Sequence, residues 1–482
     1  MLFKSKLVSI LRTISSKELK YFEEYILSPF FNKNEKVIAL FSVIKKFHPE
    51  FPEDKVGLEQ IFVKVFPKEK IDEQKLRYVM TDLTKLLEDF LAYIEFDKSD
   101  IYKKHLLLNA YDQRKLDKYF QQLKETALVQ QNKEIYRDVD WYFYQHLLEE
   151  NVYLHSLNRE ARGLAESLQQ AADNLDLYYL ANKLRFCCVI FNLQDVAQVT
   201  YNNHLLNEIV NFLANDHFRD VPAIAIYYQI LMTFREPDES KHYLQLKIML
   251  EEYTKQFTPA EAKDMYVFAL NYCIKKLNSG ELTYTQELFE LYKSLIEKEL
   301  IFENKELAPS DFKNIVTISL RSGQVAWTEN FINAYKDTIP AASREITYNY
   351  NKAFLHYYKK EFSHALRLLQ QVEFADNYYQ LDSKALLLKT YYELNDTEPF
   401  LSLTDAFTNY LKRNKVISEY QRTVYLNFVK YSKKLMHIKI GSRIALPDVK
   451  NELLGIKQIA DLNWLREKLK EIEGQSLSAD PI

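Results

Sequence analysis

Residues 349–369, NYNKAFLHYYKKEFSHALRLL, carry the clearest structural pattern in the chain. Ala353, Phe362 and Ala365 follow one another at a spacing that suits two short helices packed side by side. Small residues at such positions let paired helices approach closely, and the aromatic ring fills the gap between them. The stretch therefore predicts a helical hairpin.

A similar spacing of small and aromatic residues recurs about 35 residues later, which is a typical repeat length for stacked helical hairpins. The second copy begins near Leu388 and continues with Tyr391 and Tyr392, although Phe400 stands where the alanine of the first copy would fall. The pattern over residues 349–411 resembles the tetratricopeptide repeat (TPR). The resemblance implies an irregular α-solenoid of TPR-like helical hairpins.

The composition of the whole chain favours an all-α fold. Its 482 residues include only 7 Gly and 12 Pro, and alternating strand patterns bounded by Asn-Gly or Asp-Gly turns are absent. Apolar residues instead recur at helical spacing, which predicts about 20 helices joined by short polar links.

Helix starts are marked by capping residues at several places. Ser15 with Glu18 forms a capping-box pattern, and Asn32 with Glu35 repeats it. Asp72 precedes a long apolar stripe. Thr258 is followed by a proline at the first helical position, which is another start signal.

The N-terminal part carries a second resemblance. Residues 17–22 (KELKYF), 28–34 (SPFFNKN) and 76–80 (LRYVM) resemble the start of an uncharacterised bacterial family of large helical proteins. The resemblance implies a helical N-terminal domain followed by a repeat body. We expect that domain at residues 1–96, the TPR-like body at 97–445, and a C-terminal helical cap with a frayed tail at 446–482.

The cysteines and the hydropathy pattern indicate a cytoplasmic protein. Cys187, Cys188 and Cys273 have no metal or redox spacing, and the adjacent pair lies in an apolar run, so we expect buried thiols. The N-terminus lacks the features of a secretory signal. No apolar run approaches the roughly 20 residues that cross a bilayer, so no membrane contact is expected.

Signatures of catalysis are missing. The scarce glycines disfavour the common phosphate loops and nucleophile elbows, their signature motifs are missing from the sequence, and no cofactor is expected. Glu239 with His242, and Glu361 with His364, match the Glu-x-x-His pattern of di-iron helical bundles. Matches of this kind arise by chance in a chain so rich in acidic residues, so no metal ligand is assigned. A third alternative, a metal-dependent helical enzyme, would require the two Glu-x-x-His pairs to lie together in the fold.

The strongest charge pattern lies in residues 412–443, where nine Lys and Arg residues stand against the single acid Glu419. At helical spacing one face is apolar, and the opposite side carries a basic ridge. We define the basic ridge by Arg422, Lys430, Lys433 and Lys434. It predicts an anion-binding surface; the alternative is a solvated helix end.

Adjacent tyrosines are a second candidate for partner contact. Neighbouring residues cannot share one helix face, so one member of Tyr357–Tyr358 and of Tyr391–Tyr392 is expected to point outward. Tyrosine is a favoured anchor residue in protein interfaces.

These observations predict a non-catalytic scaffold that binds a protein or peptide partner. The alternative is a nucleic-acid-associated regulator that contacts phosphates through the basic ridge. Against that alternative, residues 1–100 hold 17 basic and 17 acidic residues, so the N-terminal part has no net electrostatic attraction for a polyanion. The sequence leaves self-association open.

Overall fold

The computed structural model describes residues 4–52, 58–159, 164–197, 200–215, 218, 220–371, 377–441, 446–456 and 458–478. Within these ranges the chain forms 23 α-helices and no strand, which confirms the all-α prediction. Of the helices found there, none is both long enough and apolar enough to cross a bilayer.

The chain divides into two compact units, Met1–Lys183 and Leu184–Ile482. The predicted boundaries at residues 96 and 445 stay predictions. Residues 442–445 and 479–482, which include the predicted end of the repeat body and the end of the tail, lie outside the described residues.

The first nine helices begin in the first unit, and α9 extends through its last residue, Lys183. They are α1 Lys6–Leu11, α2 Ser16–Leu27, α3 Glu35–Ile44, α4 Leu58–Val65, α5 Glu73–Lys98, α6 Asp100–Gln113, α7 Asp117–Lys133, α8 Val139–Leu157 and α9 Leu164–Ala197.

Helices α1 to α5 share one hydrophobic core. Phe22 is fully buried there, with its ring centroid 5.1 Å from that of Phe41 and 5.2 Å from that of Phe90. A smaller core joins α6, α7 and α8 through Leu108, Phe120 and neighbouring apolar residues.

The predicted capping residues begin their helices, with one correction. Ser15 and Glu18 form the complete capping box of α2, and Asp72 caps α5. The prediction that Asn32 caps α3 is wrong, because the N-cap is Asn34, whose side chain accepts from the Lys36 amide. Asn32 is buried and instead donates to the carbonyl of Ile26 at 2.9 Å, so it fixes the loop before the helix.

Fourteen further helices follow in the second unit. They are α10 Leu206–Ala214, α11 Pro222–Arg235, α12 Ser240–Tyr253, α13 Pro259–Asn278, α14 Tyr284–Glu297, α15 Pro309–Arg321, α16 Val325–Ala334, α17 Arg344–Tyr358, α18 Phe362–Leu369, α19 Asn377–Leu394, α20 Thr397–Arg413, α21 Glu419–Lys439, α22 Leu446–Gly455 and α23 Leu462–Ser478.

Most helices of this unit pack in consecutive pairs: α11 with α12, α13 with α14, α15 with α16, α17 with α18, and α19 with α20. The first helix of a pair also contacts the first helix of the next, as in α11 with α13, α15 with α17, α17 with α19, and α19 with α21. At these four steps the first helices of neighbouring pairs lie side by side, whereas between the pairs α13–α14 and α15–α16 the packing runs through α14 and α15.

The hairpin predicted at residues 349–369 is present as α17 and α18. Ala353 and Ala365 are fully buried where the two helices meet. The Phe362 ring lies edge-on to the Tyr357 ring at 5.3 Å. Small residues and one aromatic ring thus have the packing roles that the sequence predicts.

Candidate binding surfaces

Arg422 of the basic ridge is bound to the protein itself. Its guanidinium donates to three backbone carbonyls, those of Leu411 at 3.0 Å, Asn414 at 3.1 Å and Ile417 at 3.3 Å. These carbonyls belong to the end of α20 and the link to α21, so Arg422 holds the link in place. It has few N–H groups left for an external anion.

Two further ridge residues are held in ion pairs. Lys433 contacts Asp405 on α20 at 2.8 Å, and Lys434 contacts Glu452 on α22 at 2.6 Å. Both pairs are partly exposed, so each is weak, but each offsets a positive charge. The carboxylates come from other helices, which is why residues 412–443 alone overstate the local charge.

Lys430 is the exposed member of the ridge. Its ammonium lies 5.1 Å from the centroid of the Tyr431 ring. The structure therefore keeps one of the four ridge residues on an open surface, together with the exposed Lys412, Arg413 and Lys415 near the end of α20.

The tyrosine doublets divide between surface and interior. Tyr358 is 43% exposed, whereas Tyr357 points inward and donates to Glu393 at 3.3 Å. Tyr392 is 2% exposed and lies in the core against Trp464 and Phe400, with ring distances of 5.2 and 6.2 Å. A side chain with so little exposed area has no surface to offer a partner.

Tyr391 is half-buried and packs against the same core cluster. Of the four doublet tyrosines, Tyr358 therefore offers the most surface for external contact.

The inward tyrosines surround a buried charge network that joins α23 to α19. Lys468 contacts Glu393 at 3.0 Å and Glu471 at 2.9 Å, and the Lys468 side chain is only 7% exposed. Trp464 donates its indole N–H to Glu393 at 3.0 Å. Burial lowers the pKa of Lys468, but the hydrogen bonds to Glu471 and Glu393 outweigh it and leave the pKa above its ordinary value.

The same region holds a partly desolvated lysine from the end of α21. Lys439 donates to the Tyr392 carbonyl at 3.1 Å, and its ammonium lies 4.3 Å from the Tyr392 ring centroid. Burial lowers the pKa of Lys439, with a smaller opposing effect from Glu393. Tyr357 and Tyr392, which the sequence offers as candidates for partner contact, thus help to attach α23: Tyr357 donates to Glu393, and Tyr392 packs against Trp464.

The two Glu-x-x-His pairs do not form a metal site between them. His242 contacts Glu236 at 2.9 Å and Gln229 at 2.8 Å. Glu361 contacts His356 at 2.6 Å. Across the described ranges, no three His, Cys, Asp or Glu side chains lie together in a way that could hold a metal ion. The three cysteines are free and buried, as predicted.

A cavity of about 410 Å³ opens on α9, α11 and α13 within the second unit. Its lining consists of Asn192, Thr233, Phe234, Asn271, Tyr272, Ile274, Lys275 and Asn278. The sequence gives no sign of it, because Asn192 lies 79 residues from Asn271 along the chain and each amide is unremarkable alone.

The polar side of this cavity is built from amide groups. Asn271 donates to the Asn192 side-chain carbonyl at 2.9 Å. This leaves the Asn192 N–H groups as donors and the Asn271 carbonyl as acceptor, a combination that complements a peptide group. Phe234 provides the apolar side, with its ring stacked 6.1 Å from that of Phe191.

A second cavity, of about 300 Å³, lies in the first unit between the α5–α6 link and the start of α8. Asp100, Glu134, Asp138 and Asp140 line it with Lys98, Trp141 and other residues. Asp138 is already used as the N-cap of α8. Asp100 is paired with Lys104 at 2.9 Å, so part of the acidic charge has partners in the fold.

Comparison of the chain with models of protein families, with curated proteins and with solved structures found no match. The candidate surfaces are therefore interpreted from their own chemistry.

Proposed function

We propose that the chain is a non-catalytic scaffold in the cytoplasm that binds a protein partner through an extended segment of that partner. The helical pairs of the second unit form, in this proposal, an irregular α-solenoid of TPR-like hairpins. Its support is the side-by-side contact of first helices from neighbouring pairs. Such rows expose long ridged surfaces that suit recognition of a peptide.

The observation that carries the proposal is the cavity on α9, α11 and α13. It lies on neighbouring helices, where a bound segment would cross several of them. The amides of Asn192 and Asn271 offer hydrogen bonds to a main chain, and Ile274 is 40% exposed at the rim as an apolar contact. Amides beside apolar surface match an extended peptide better than they match a charged metabolite.

The test is photo-crosslinking in the native host. A benzoylphenylalanine placed at Ile274 is expected to capture a specific partner, and mass spectrometry identifies the linked segment. The matched control carries the same group at Leu282, which is 72% exposed and is not among the cavity-lining residues. Equal capture at both positions, or none at Ile274, would contradict the proposal.

A binding measurement with the captured segment gives the second arm. We expect Asn271→Ala to weaken binding about 10-fold, because the main chain loses the Asn271 carbonyl as acceptor and the Asn192 amide loses the hydrogen bond that holds it. Asn132→Ala, which changes an exposed asparagine of the first unit, is the control and is expected to leave binding unchanged.

The alternative proposal, a nucleic-acid-associated regulator, gains less support. Arg422, Lys433 and Lys434 have partners within the protein, which leaves Lys430 and the lysines near the end of α20 for phosphate contact. If the alternative holds, nuclease treatment abolishes recovery of partners and binding weakens steeply with added salt. Recovery that survives nuclease favours the scaffold.

A further inference from the structure

A continuous strip of aromatic side chains runs along the first unit. It starts after α2, follows the last turns of α5 and ends on α6 and α8. We call it the aromatic strip and define it by Phe31, Tyr93, Phe96, Tyr102 and Tyr144. Each ring lies beside the next, with centroid distances of 6.4, 6.4, 6.3 and 6.4 Å in that order. All five residues belong to Met1–Lys183.

The aromatic strip is open to solvent and is also anchored to the core. Phe31, Tyr93 and Tyr102 are 41%, 47% and 37% exposed. Phe30 extends the strip at one end, with a ring that is 86% exposed and lies 5.0 Å from that of Phe31. Tyr25 stacks on Phe31 at 4.1 Å and packs against the core of α1 to α5. Contiguous exposed apolar side chains mark contact sites, whereas single ones do not.

The other end of the aromatic strip reaches the cavity of the first unit. Tyr144 lines that cavity together with Glu134 and Asp140. Both carboxylates are exposed, and within the part of the chain that the structure describes neither has an ion pair or a hydrogen bond. Arg137 lies over the Trp141 ring at 4.6 Å and donates to backbone carbonyls, not to either carboxylate. Two negative charges of the cavity are therefore available to a ligand.

The spacing of the rings matches an extended proline-rich chain. A polyproline II helix rises about 3.1 Å per residue, so two residues advance by about 6.2 Å, close to each step between neighbouring rings. Proline-rich segments dock on aromatic-lined grooves because this helix is already ordered before it binds. We propose that the aromatic strip binds a proline-rich segment of a partner protein, and that Glu134 and Asp140 bind a lysine or arginine of the same segment.

Charge distinguishes this ligand from single-stranded nucleic acid, whose bases also stack on aromatic rings. Nucleic acid needs free cations for its phosphates, and the carboxylates of Glu134 and Asp140 repel it. The lysines beside the strip are themselves held in ion pairs. The pairs are Lys98 with Glu95 at 2.7 Å, Lys103 with Asp97 at 3.1 Å and Lys104 with Asp100 at 2.9 Å. The surface is therefore complementary to a basic segment.

The binding measurement uses the full chain and a fluorescent synthetic peptide of about 12 residues. Proline fills two of every three positions of this peptide, and an arginine stands at each end so that both chain directions are covered. Saturable binding is expected in fluorescence polarisation. A peptide with alanine in place of every proline keeps the same charge, and it is expected to bind at least about 10-fold more weakly.

Variants of the aromatic strip test which surface binds the peptide. Tyr93→Ala and Tyr102→Ala are each expected to weaken binding about 10-fold, because each removes a ring on which a proline packs. Tyr78→Ala is the matched control, since Tyr78 lies on the same helix as Tyr93, is 62% exposed and is not part of the strip. Circular dichroism of each variant checks that the fold is retained.

This surface is separate from the cavity around Asn271, which lies in the second unit. Asn271→Ala is expected to bind the proline-rich peptide as tightly as the original chain does. Failure of the function proposed above therefore leaves this proposal standing, and the reverse also holds.

Charge exchange tests the basic residue of the ligand. The double variant Glu134→Lys with Asp140→Lys is expected to bind the arginine peptide about 10-fold more weakly. It should bind more tightly a peptide in which glutamate replaces both arginines, because opposite charges then meet again. Glu125→Lys, which changes an exposed carboxylate on α7, is the control and is expected to leave binding of both peptides unchanged.

Four results would overturn the proposal. The first is no saturable binding of the proline-rich peptide. The second is equal binding of the alanine peptide, or binding that Tyr93→Ala and Tyr102→Ala leave unchanged. The third is an arginine peptide that binds the double lysine variant as tightly as the original chain. The fourth is a labelled oligothymidine that binds more tightly than the peptide and is weakened by Tyr93→Ala, which would make the strip a nucleic-acid surface.

Discussion

Asp112 on α6 accepts hydrogen bonds from three side chains at the end of α8. His155 lies 2.7 Å from one carboxylate oxygen, Asn158 donates to the other at 3.0 Å, and Arg159 forms an ion pair with the group. The His155 ring is stacked on Phe120 of α7 at 3.7 Å. The Asp112 carboxylate therefore links α6 to the end of α8, and Phe120 of α7 packs against the imidazole of His155.

The pKa of Asp112 connects this cluster to pH. Burial raises the pKa, but the hydrogen bonds of His155 and Asn158 and the charge of Arg159 outweigh it, so the pKa lies below the ordinary value of 3.8. The unfolded chain then binds more protons than the folded chain at acidic pH. The stabilisation is present above the ordinary pKa and is lost as the pH falls through the lowered one.

We predict that Asp112→Asn reduces the pH dependence of stability. Between about pH 5 and pH 2, the free energy of unfolding should fall less steeply in the variant, because its side chain no longer titrates. Urea unfolding at several pH values measures this slope. Glu252→Gln, which removes an exposed carboxylate on α12, is the control; an equal change of slope there would argue against a special role for Asp112.

The link between α20 and α21 shows how an element depends on one side chain. Its backbone carbonyls at Leu411, Asn414 and Ile417 all accept from Arg422. The Ser418 side chain caps α21 by accepting from the Gln421 amide. The planar guanidinium presents several donors in fixed directions, which a lysine ammonium cannot reproduce.

We therefore predict that Arg422→Ala destabilises the protein by about 2 kcal/mol, because part-buried carbonyls lose their donor. Arg422→Lys should recover little of the loss. Lys430→Ala on the same helix is the matched control and is expected to change the free energy of unfolding by less than about 0.5 kcal/mol. Urea unfolding compares the three, and equal effects of Arg422→Ala and Lys430→Ala would contradict the prediction.

At the scale of the whole molecule, the C-terminal helix α23 completes the core of the second unit. Trp464, Leu465 and Leu469 are buried in the same cluster as Phe400 and Phe428. The nearly buried pair Lys468 and Glu393 adds a polar tie. Removal of one partner of such a pair leaves an uncompensated charge in a poorly solvated place.

We predict that a chain ending at Gly455, which keeps α22 and lacks α23, loses stability in its second unit. Three large apolar side chains leave the core, which costs about 5 kcal/mol or more at 1.5–3 kcal/mol each. The expected result is a lower unfolding midpoint in thermal scans and aggregation of the product. A chain ending at Ser478 is the control; similar midpoints for both truncations would show that α23 is dispensable.

The sequence by itself determined the helical class and many helix starts. Capping at Ser15 and Asp72 and the buried alanines of residues 349–369 follow from local rules, since the groups that interact lie within a few residues of one another. Asn32 shows that even a local pattern can mislead. Asn32 and Asn34 both precede α3, and the packing of the loop decides that Asn34 caps the helix while Asn32 bonds to the Ile26 carbonyl.

Only the tertiary structure decided which of the charged and aromatic candidates stay exposed and which are bound within the protein. Asp405 and Glu452, which pair with Lys433 and Lys434, lie on other helices, so the sequence of α21 cannot reveal them. The cavity around Asn271 likewise joins helices distant in sequence. On α9, long-range packing likewise decides that Leu184 is buried while Phe186, two residues later, is 55% exposed, because two apolar residues so close in sequence do not reveal which of them another helix covers.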